Sequence, residues 1–517
     1  MESFDIVVVG YGPTGRLLAL KLGRRGHRVL VLERQRTAYP LPRAVHHDDE
    51  IGRILQGIGL PPSAIPHITE AYDDFYEWRN AGREPLVRLD WRGRGPSGWN
   101  ISNFFHQPAL EEALDDLVRA TGTVTVRCGH RVTGHREDDD GVQVEVEADG
   151  TSYAVRGRYV VGADGANSTV RDWIGAGFSD LGYFRDWLVA DLVLTQPLGI
   201  EPPAWQSCDP RRPTTLVPAG PGRRRWEFMR LDDEDPARFA SEEYAWQLLA
   251  PWGATPGNAT LTRHAVYTFQ ARWADRWRKG RLLLAGDSAH QMPPFAGQGM
   301  CSGLRDAQNL EWKLDAVLRG APDTLLDSYG SERAEHVADF ISFSMELGQV
   351  ICISDPADAA ARDTRLKADL TAGLTPSPRP LPRLGQGLHT GDGGLAGTLS
   401  LQAQVTGETG TALFDDVTGS PGALIGPADA LAGLGSAHRD ALAAAGIGVW
   451  SLGDRPGPDT VVDTDGAYTA WLTDAGAQCV LVRPDFYVYG TTAPGEDPEQ
   501  LAAGFLRALG APQPVRR

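Results

Sequence analysis

The stretch "DIVVVGYGPTGRLLALKLGRRGHRVLVLER", Asp5 to Arg34, leaves few folds open. Ile6 to Val9 form a continuous apolar, β-branched run, the pattern of a strand buried on both faces. Gly10-Tyr11-Gly12-Pro13-Thr14-Gly15 comes next, and Leu17, Leu18, Leu20 and Leu22 then give a helix an apolar side. A second strand, Val29 to Leu32, ends on Glu33 and Arg34. This is the strand–turn–helix–strand pattern of a dinucleotide-binding unit. Gly10 permits the tight turn, Gly12 lets a pyrophosphate approach the backbone, and Gly15 lets helix and strand pack closely. The helix start, from Thr14 after Pro13, offers free N–H groups and a partial positive charge to phosphate. Glu33 lies 18 residues after Gly15, near the ~20 expected of an acid that binds a ribose 2′-hydroxyl. An acid there disfavours a 2′-phosphate, so FAD or NAD suits the site better than NADP.

The remaining composition sets bounds. At ~100–200 residues per domain, 517 residues suggest roughly two to four domains. A formal net charge of −17 argues against a nucleic-acid partner. The five cysteines, Cys128, Cys208, Cys301, Cys352 and Cys479, are scattered and form no CxxC. No disulfide framework or metal site is expected, and a cytoplasmic location fits. "MESFDIVVVG" enters a strand at once, without the basic and apolar regions of a signal peptide. No apolar run approaches the ~18 residues of a membrane span, so no membrane association is expected.

Two further stretches add chemistry. "RYVVGADGANSTVR" (Arg158 to Arg171) reads as a strand, an Asp-Gly turn at Asp164 and a helix. "LLLAGDSAHQMPPFAGQGMCSG" (Leu282 to Gly303) runs from a strand to Asp287, crosses Pro293 and Pro294, and reaches Gly297 and Gly299 before a helix from about Met300. In this order and at these separations, the three stretches resemble the single-component FAD-dependent aromatic hydroxylases. "LPRAVHHDDEIGRILQGIGL", "FFHQPALEEAL", "CDPRRPTTLVP", "GRRRWEFMRL" and "LVRPDFYVYG" narrow the resemblance to the 3-(3-hydroxyphenyl)propionate hydroxylase branch. Related actinobacterial tailoring monooxygenases share much of the pattern.

The resemblance implies a mixed α/β chain with three parts. A Rossmann-like FAD-binding domain is expected over 1–75, 100–178 and 266–375, with an inserted antiparallel-sheet substrate domain over 76–99 and 179–265. A proline- and glycine-rich linker, 376–394, precedes a thioredoxin-like C-terminal domain without CxxC over 395–517. FAD is expected to bind non-covalently, with NADH or NADPH as electron donor. The implied reaction delivers one atom of O2, through a flavin C4a-hydroperoxide, to an electron-rich ring such as a phenol, a hydroxyphenylpropanoate or a hydroxypyridine. Antibiotic-modifying or polyketide-tailoring oxygenation is an alternative, and a flavin-binding protein without turnover another. Homo-oligomerisation stays open.

Residue by residue, the resemblance places Arg43, Gln107 and Asp287 along the ribityl and pyrophosphate part of FAD, Val132 at adenine, and Asp164 at the turn shared by FAD and the pyridine nucleotide. Pro294 would sit beside the isoalloxazine. Gly297, Gln298, Gly299 and Met300 would present N–H groups to its pyrimidine edge, where fixed dipoles stabilise the charge of the reduced ring. A base has only to perturb a phenol, so His47 joins Pro294 as a catalytic candidate and His46 is a substrate contact. On the strand "RRRWEFM", Trp226 and Phe228 share one face and Arg225, Glu227 and Met229 the other. The aromatic pair is taken as the substrate wall.

Overall fold

Glu2–Val9 is a middle strand of a parallel sheet. In the computed structural model of the chain, which describes residues 1–37, 43–374, 380–391 and 393–510, its neighbours are Thr151–Gly162 on one side and Val29–Glu33 on the other. Leu282–Leu284 and Val124–Cys128 extend the sheet in the same direction. Ile6, Val7 and Val8 are fully buried within the main apolar core. Pro13–Arg24 packs between Gln107–Ala120 and Gly299–Leu318. The strand register sets where the motif loops emerge: Val9 pairs with Gly162, and Gly162 with Leu284. All three loops therefore leave neighbouring strands at one level, on the carboxyl edge where open α/β sheets bind ligands.

A second sheet of eight strands lies over that edge, in the order His290–Gln291, Ala259–Ala274, Phe178–Leu194, Arg223–Met229, Thr214–Pro218, Trp205–Cys208, Phe75–Asn80 and Pro85–Asp90. Its short first strand belongs to the Asp287 loop, since Arg272 pairs with Gln291 and Trp273 with His290. Roof and floor are thus joined by hydrogen-bonded backbone. Ala259–Ala274 is continuous, so the boundary expected between 265 and 266 falls inside one strand.

The C-terminal part builds a seven-stranded sheet. Gly422–Pro427, Ile447–Leu452 and Thr460–Asp463 run parallel, while Cys479–Val482 and Val488–Thr492 form an antiparallel hairpin at one side. Between Gly422–Pro427 and Ile447–Leu452 lie two helices, Ala428–Leu431 and Ser436–Ala444, kept apart by a segment holding Gly433 and Gly435. The final helix, Pro498–Ala508, has Pro498 in its first turn and Asp497 accepting from Glu499 N. Of the expected linker, residues 376–379 and 392 lie outside the described residues.

Candidate active site

Between the parallel sheet's carboxyl edge and the second sheet lies a cavity of about 370 Å³. Gly12, Pro13 and Thr14 line it from the first loop, and Ala163, Gly165 and Ala166 from the second. The third loop contributes Asp287, Pro294, Gly297, Gln298, Gly299 and Met300. Arg43, His46 and Gln107 close one side.

The glycines divide by function. A Cβ on Gly10, whose φ is +101°, would meet Ala163 O at 2.3 Å, and one on Gly15 would meet Gly10 O at 2.3 Å. Both are required for the backbone itself to pack. A Cβ on Gly12 would find nothing closer than the Arg43 guanidinium at 3.8 Å, so here the missing side chain leaves room for a ligand. Gly12 offers no side-chain cap to Pro13–Arg24, and Gln298 offers none to Gly299–Leu318. Two helix N-termini therefore lack side-chain caps at the cavity, as an anionic ligand requires. Asp287 is exposed and its carboxylate has no partner among the described residues. Gln298 is buried, its Oε1 accepts from Arg305 Nη1 at 2.9 Å, and its Nε2 is buried without a partner. A carboxylate suited to hydroxyls, an orphaned amide and two uncapped helices fit a molecule with ribityl, phosphate and ring-carbonyl groups.

The third loop is held from behind. Gly286 N donates to Asp306 Oδ2 at 2.8 Å, and that oxygen also meets His290 Nε2 at 2.7 Å. Ser344 Oγ donates to Pro293 O at 2.8 Å. Gly297, at φ +64°, packs so closely on His46 that a Cβ would lie 2.7 Å from its Nδ1.

Several expected residues take other places. His47 is fully buried, with Nε2 3.0 Å from Thr69 Oγ1 and Nδ1 3.2 Å from Asp48 O, and burial pushes its pKa down. His46–Asp48 is a strand, so adjacent histidines face opposite ways. His46 lines the cavity, stacks on Trp91 and meets Ser102 Oγ at 3.0 Å. The catalytic candidacy of His47 is therefore corrected. So is the choice of strand face at Arg223–Met229. Trp226 and Phe228 are fully buried with Leu188, Leu216 and Phe239, on the side covered by the helices Pro236–Phe239 and Glu242–Leu249. Arg225 and Glu227 line the cavity instead.

Asp164 turns inward as well. Its carboxylate accepts from Ser168 Oγ, Thr169 N and Val170 N at the start of Thr169–Ile174, and burial raises its pKa. Backbone on either side of it, not the acid, lines the cavity. Gln107 acts through another segment: its Oε1 accepts from Arg43 N and Ala44 N at 2.7 and 2.6 Å. Glu33 accepts from Tyr11 N at 2.9 Å and so braces the first loop. Arg34 is exposed beside it. His130 N donates to Glu33 O, which brings the strand carrying buried Val132 beside that end. Glu33, Arg34 and Val132 lie outside the cavity lining.

Sequence reasoning missed the polar roof: Arg225, Glu227, Arg263, Tyr267 and Gln270 all line the cavity. Arg225 donates to Asp191 through Nε and Nη2 at 2.7 and 2.9 Å, and to Arg43 O through Nη1 at 2.7 Å. The available signal was the alternation of charged Arg225 and Glu227 with aromatic Trp226 and Phe228.

Residues 3–344 match the FAD binding domain family, and residues 397–507 the HcaD C-terminal domain. A probable NADH-specific resorcinol 4-hydroxylase of Rhodococcus jostii is 38% identical over 524 residues, covering 100% of this chain and 97% of that one. A 3-(3-hydroxy-phenyl)propionate/3-hydroxycinnamic acid hydroxylase of Mycolicibacterium smegmatis is 36% identical over 534 residues, covering 97% and 93%. Among solved structures, the flavin-dependent monooxygenase PieE in complex with FAD and substrate superimposes with a TM-score of 0.81 at 21% identity, over 99% of each chain. That likeness is one of fold.

Proposed function

The chain belongs to the FAD binding domain family and is a flavin-dependent aromatic hydroxylase, and from that premise we propose that it uses NADH to hydroxylate a small benzene ring that already carries hydroxyl groups. The observation that carries the site assignment is the register of three strands: Val9, Gly162 and Leu284 end side by side, and their loops enclose one cavity with the roof sheet. NADH as donor and a resorcinol-like ring as substrate are supported by the full-length resorcinol hydroxylase relative.

FAD, when bound, supplies the acceptance of two electrons and the activation of O2 that no side chain can perform. Gly12, Thr14, Arg43 and Asp287 would hold its phosphates and ribityl chain, with Glu33 at the ribose and Val132 at the adenine. Gly297 to Met300 would face the ring edge, and Pro294 its side. His46 would exchange a proton with a substrate hydroxyl, a reading supported by its place in the cavity lining, with its ring oriented by Ser102 and by stacking on Trp91. The two sheets face each other across the cavity and would limit the access of bulk water to the reacting ring.

The C-terminal unit reads as thioredoxin-like. Support comes from the strand order Val488–Thr492, Cys479–Val482, Gly422–Pro427, Ile447–Leu452, in which only Cys479–Val482 runs against the rest. Its one cysteine, Cys479, is buried, so its role is packing.

The test is direct. The purified protein is loaded with FAD, and NADH oxidation is followed with and without resorcinol while the product is weighed. Stimulated oxidation and a product one oxygen atom heavier are expected. A protein that takes up no FAD, or one that oxidises NADH indifferently to phenols and yields no oxygenated product, overturns the reading.

A further inference from the structure

Glu227 is the anomaly of the cavity wall. Its side chain is 7% exposed and lines the cavity. No hydrogen bond to its carboxylate is formed by any described residue, and its nearest cation is Arg225 Nη1 at 3.7 Å. That guanidinium is already committed to Asp191 and to Arg43 O. Arg263 is held similarly, with Nη1 3.4 Å from Asp191 and Nη2 on the Tyr267 hydroxyl. Its remaining Nε is buried without a partner. A buried carboxylate without a donor costs free energy unless a ligand supplies one. Burial raises the pKa of Glu227, against the pull of Arg225. A second acceptor in the same wall, Gln270 Oε1, is also buried without a partner.

The charges sum to a simple rule. Arg225 and Arg263 are balanced by Asp191 and Glu227, so the patch is neutral overall; the terminal nitrogens of both guanidiniums are engaged, and Arg263 Nε alone is buried without a partner. A hydroxyl satisfies it. A carboxylate placed there meets Glu227 as a like charge and finds the terminal guanidinium nitrogens of Arg225 and Arg263 engaged.

We propose that Glu227 is the specificity residue of this hydroxylase, accepting a hydrogen bond from a substrate hydroxyl, and that the site therefore takes rings bearing uncharged hydroxyls and rejects rings bearing an anionic side chain. The proposal rests on the hydroxylase reading above and narrows its substrate. It separates the two kinds of relative, since resorcinol carries only hydroxyls and 3-(3-hydroxyphenyl)propionate carries a carboxylate.

The experiment uses the FAD-loaded enzyme and measures dissociation constants of resorcinol and 3-(3-hydroxyphenyl)propionate from the change each makes in the flavin absorbance, independently of turnover. The wild type is expected to bind resorcinol about ten-fold or more tighter. Glu227→Met, which removes the acceptor, should weaken resorcinol by about ten-fold, the scale of one charge-assisted hydrogen bond. Glu227→Gln, which keeps an acceptor and removes the charge, should weaken resorcinol less and tighten the propionate. Tighter wild-type binding of the propionate overturns the proposal without any variant. So does an unchanged preference in both variants, with hydroxylation of either phenol then leaving the broader reading intact. Binding of neither phenol overturns both.

Discussion

The hydroxyl of Tyr487 lies 3.0 Å from Glu50 Oε1 and 2.9 Å from His336 Nε2. Arg333 Nη1 donates to His336 Nδ1 at 2.8 Å, so the ring proton sits on Nε2 and goes to Tyr487, whose own proton goes to Glu50. Each end continues to the third cavity loop. Glu50 holds Arg305, which donates to Gln298. Arg333 holds Asp306, which accepts from Gly286 N. One side chain of the C-terminal part thereby closes a buried polar chain behind the loop that lines the cavity.

Tyr487→Phe should therefore act at a distance. It leaves Glu50 Oε1 and His336 Nε2 buried without their Tyr487 partner, which costs about 1–3 kcal/mol, and it loosens Gln298 and Gly286 together. Lower stability in denaturant and faster loss of FAD on dilution are expected together. A Phe variant with wild-type values in both measurements would refute the coupling.

Gly12 and Gly15 should separate binding from folding. Ala at Gly15 drives a methyl into Gly10 O and should lower apoprotein stability by about 1–3 kcal/mol. Ala at Gly12 meets only the Arg43 guanidinium, at an ordinary contact distance of 3.8 Å, and the backbone there is extended with φ −77°, so stability should change by less than about 1 kcal/mol. Its methyl projects where a pyrophosphate approaches. The Gly12 variant should thus fold and fail to retain FAD, as read by denaturation of the apoprotein and by flavin content. Equal loss of stability in both variants would contradict this division.

What the sequence made legible was what short-range backbone chemistry dictates. The Gly10–Gly15 turn, the Pro293–Gly299 loop and the helix starting at Gly299 arise from glycines that reach backbone conformations closed to other residues and from prolines that fix φ. Alternation along Arg223–Met229 correctly divides Arg225 and Glu227 from Trp226 and Phe228, but it contains nothing about which face the helices Pro236–Phe239 and Glu242–Leu249 will cover. His46 and His47 pose the same problem on a three-residue strand, too short for a pattern to fix its register. The family resemblance puts Asp164 at a ligand-binding turn, but three local donors claim its carboxylate first. Tyr487 and Glu50 meet across 437 positions, and no local pattern announces such a pair.

Asp287 should matter only to the ligand. Its carboxylate is exposed and without a partner among the described residues, so Asp287→Ala should leave apoprotein stability within about 0.5 kcal/mol. Loss of hydrogen bonds from ligand hydroxyls to a charged acceptor is on the order of 1.5–3 kcal/mol, or roughly ten- to hundred-fold in FAD affinity. Titration of the apoprotein with FAD, followed by flavin fluorescence, measures it. Unchanged affinity would remove Asp287 from the binding site.

His47 gives the pH dependence a definite sign. Burial holds its folded pKa below the ordinary 6.5, so it stays neutral in the native protein while the unfolded chain takes up a proton below that pH. Its contribution is complete above pH 6.5 and is lost as pH falls toward the folded value, at about 1.4 kcal/mol per unit. The carboxyls of Glu70, Asp164 and Glu227, raised by burial, act in the opposite sense over part of this range. The comparison must therefore be between proteins that share them. His47→Gln should lose stability more slowly than the wild type between pH 6.5 and 5 in urea denaturation, by one proton's worth of slope. His46→Gln, altered on the cavity side, should change phenol-dependent turnover instead. If His47→Gln abolished turnover in a folded, FAD-loaded protein while His46→Gln did not, the assignment of cavity and core histidine would be reversed.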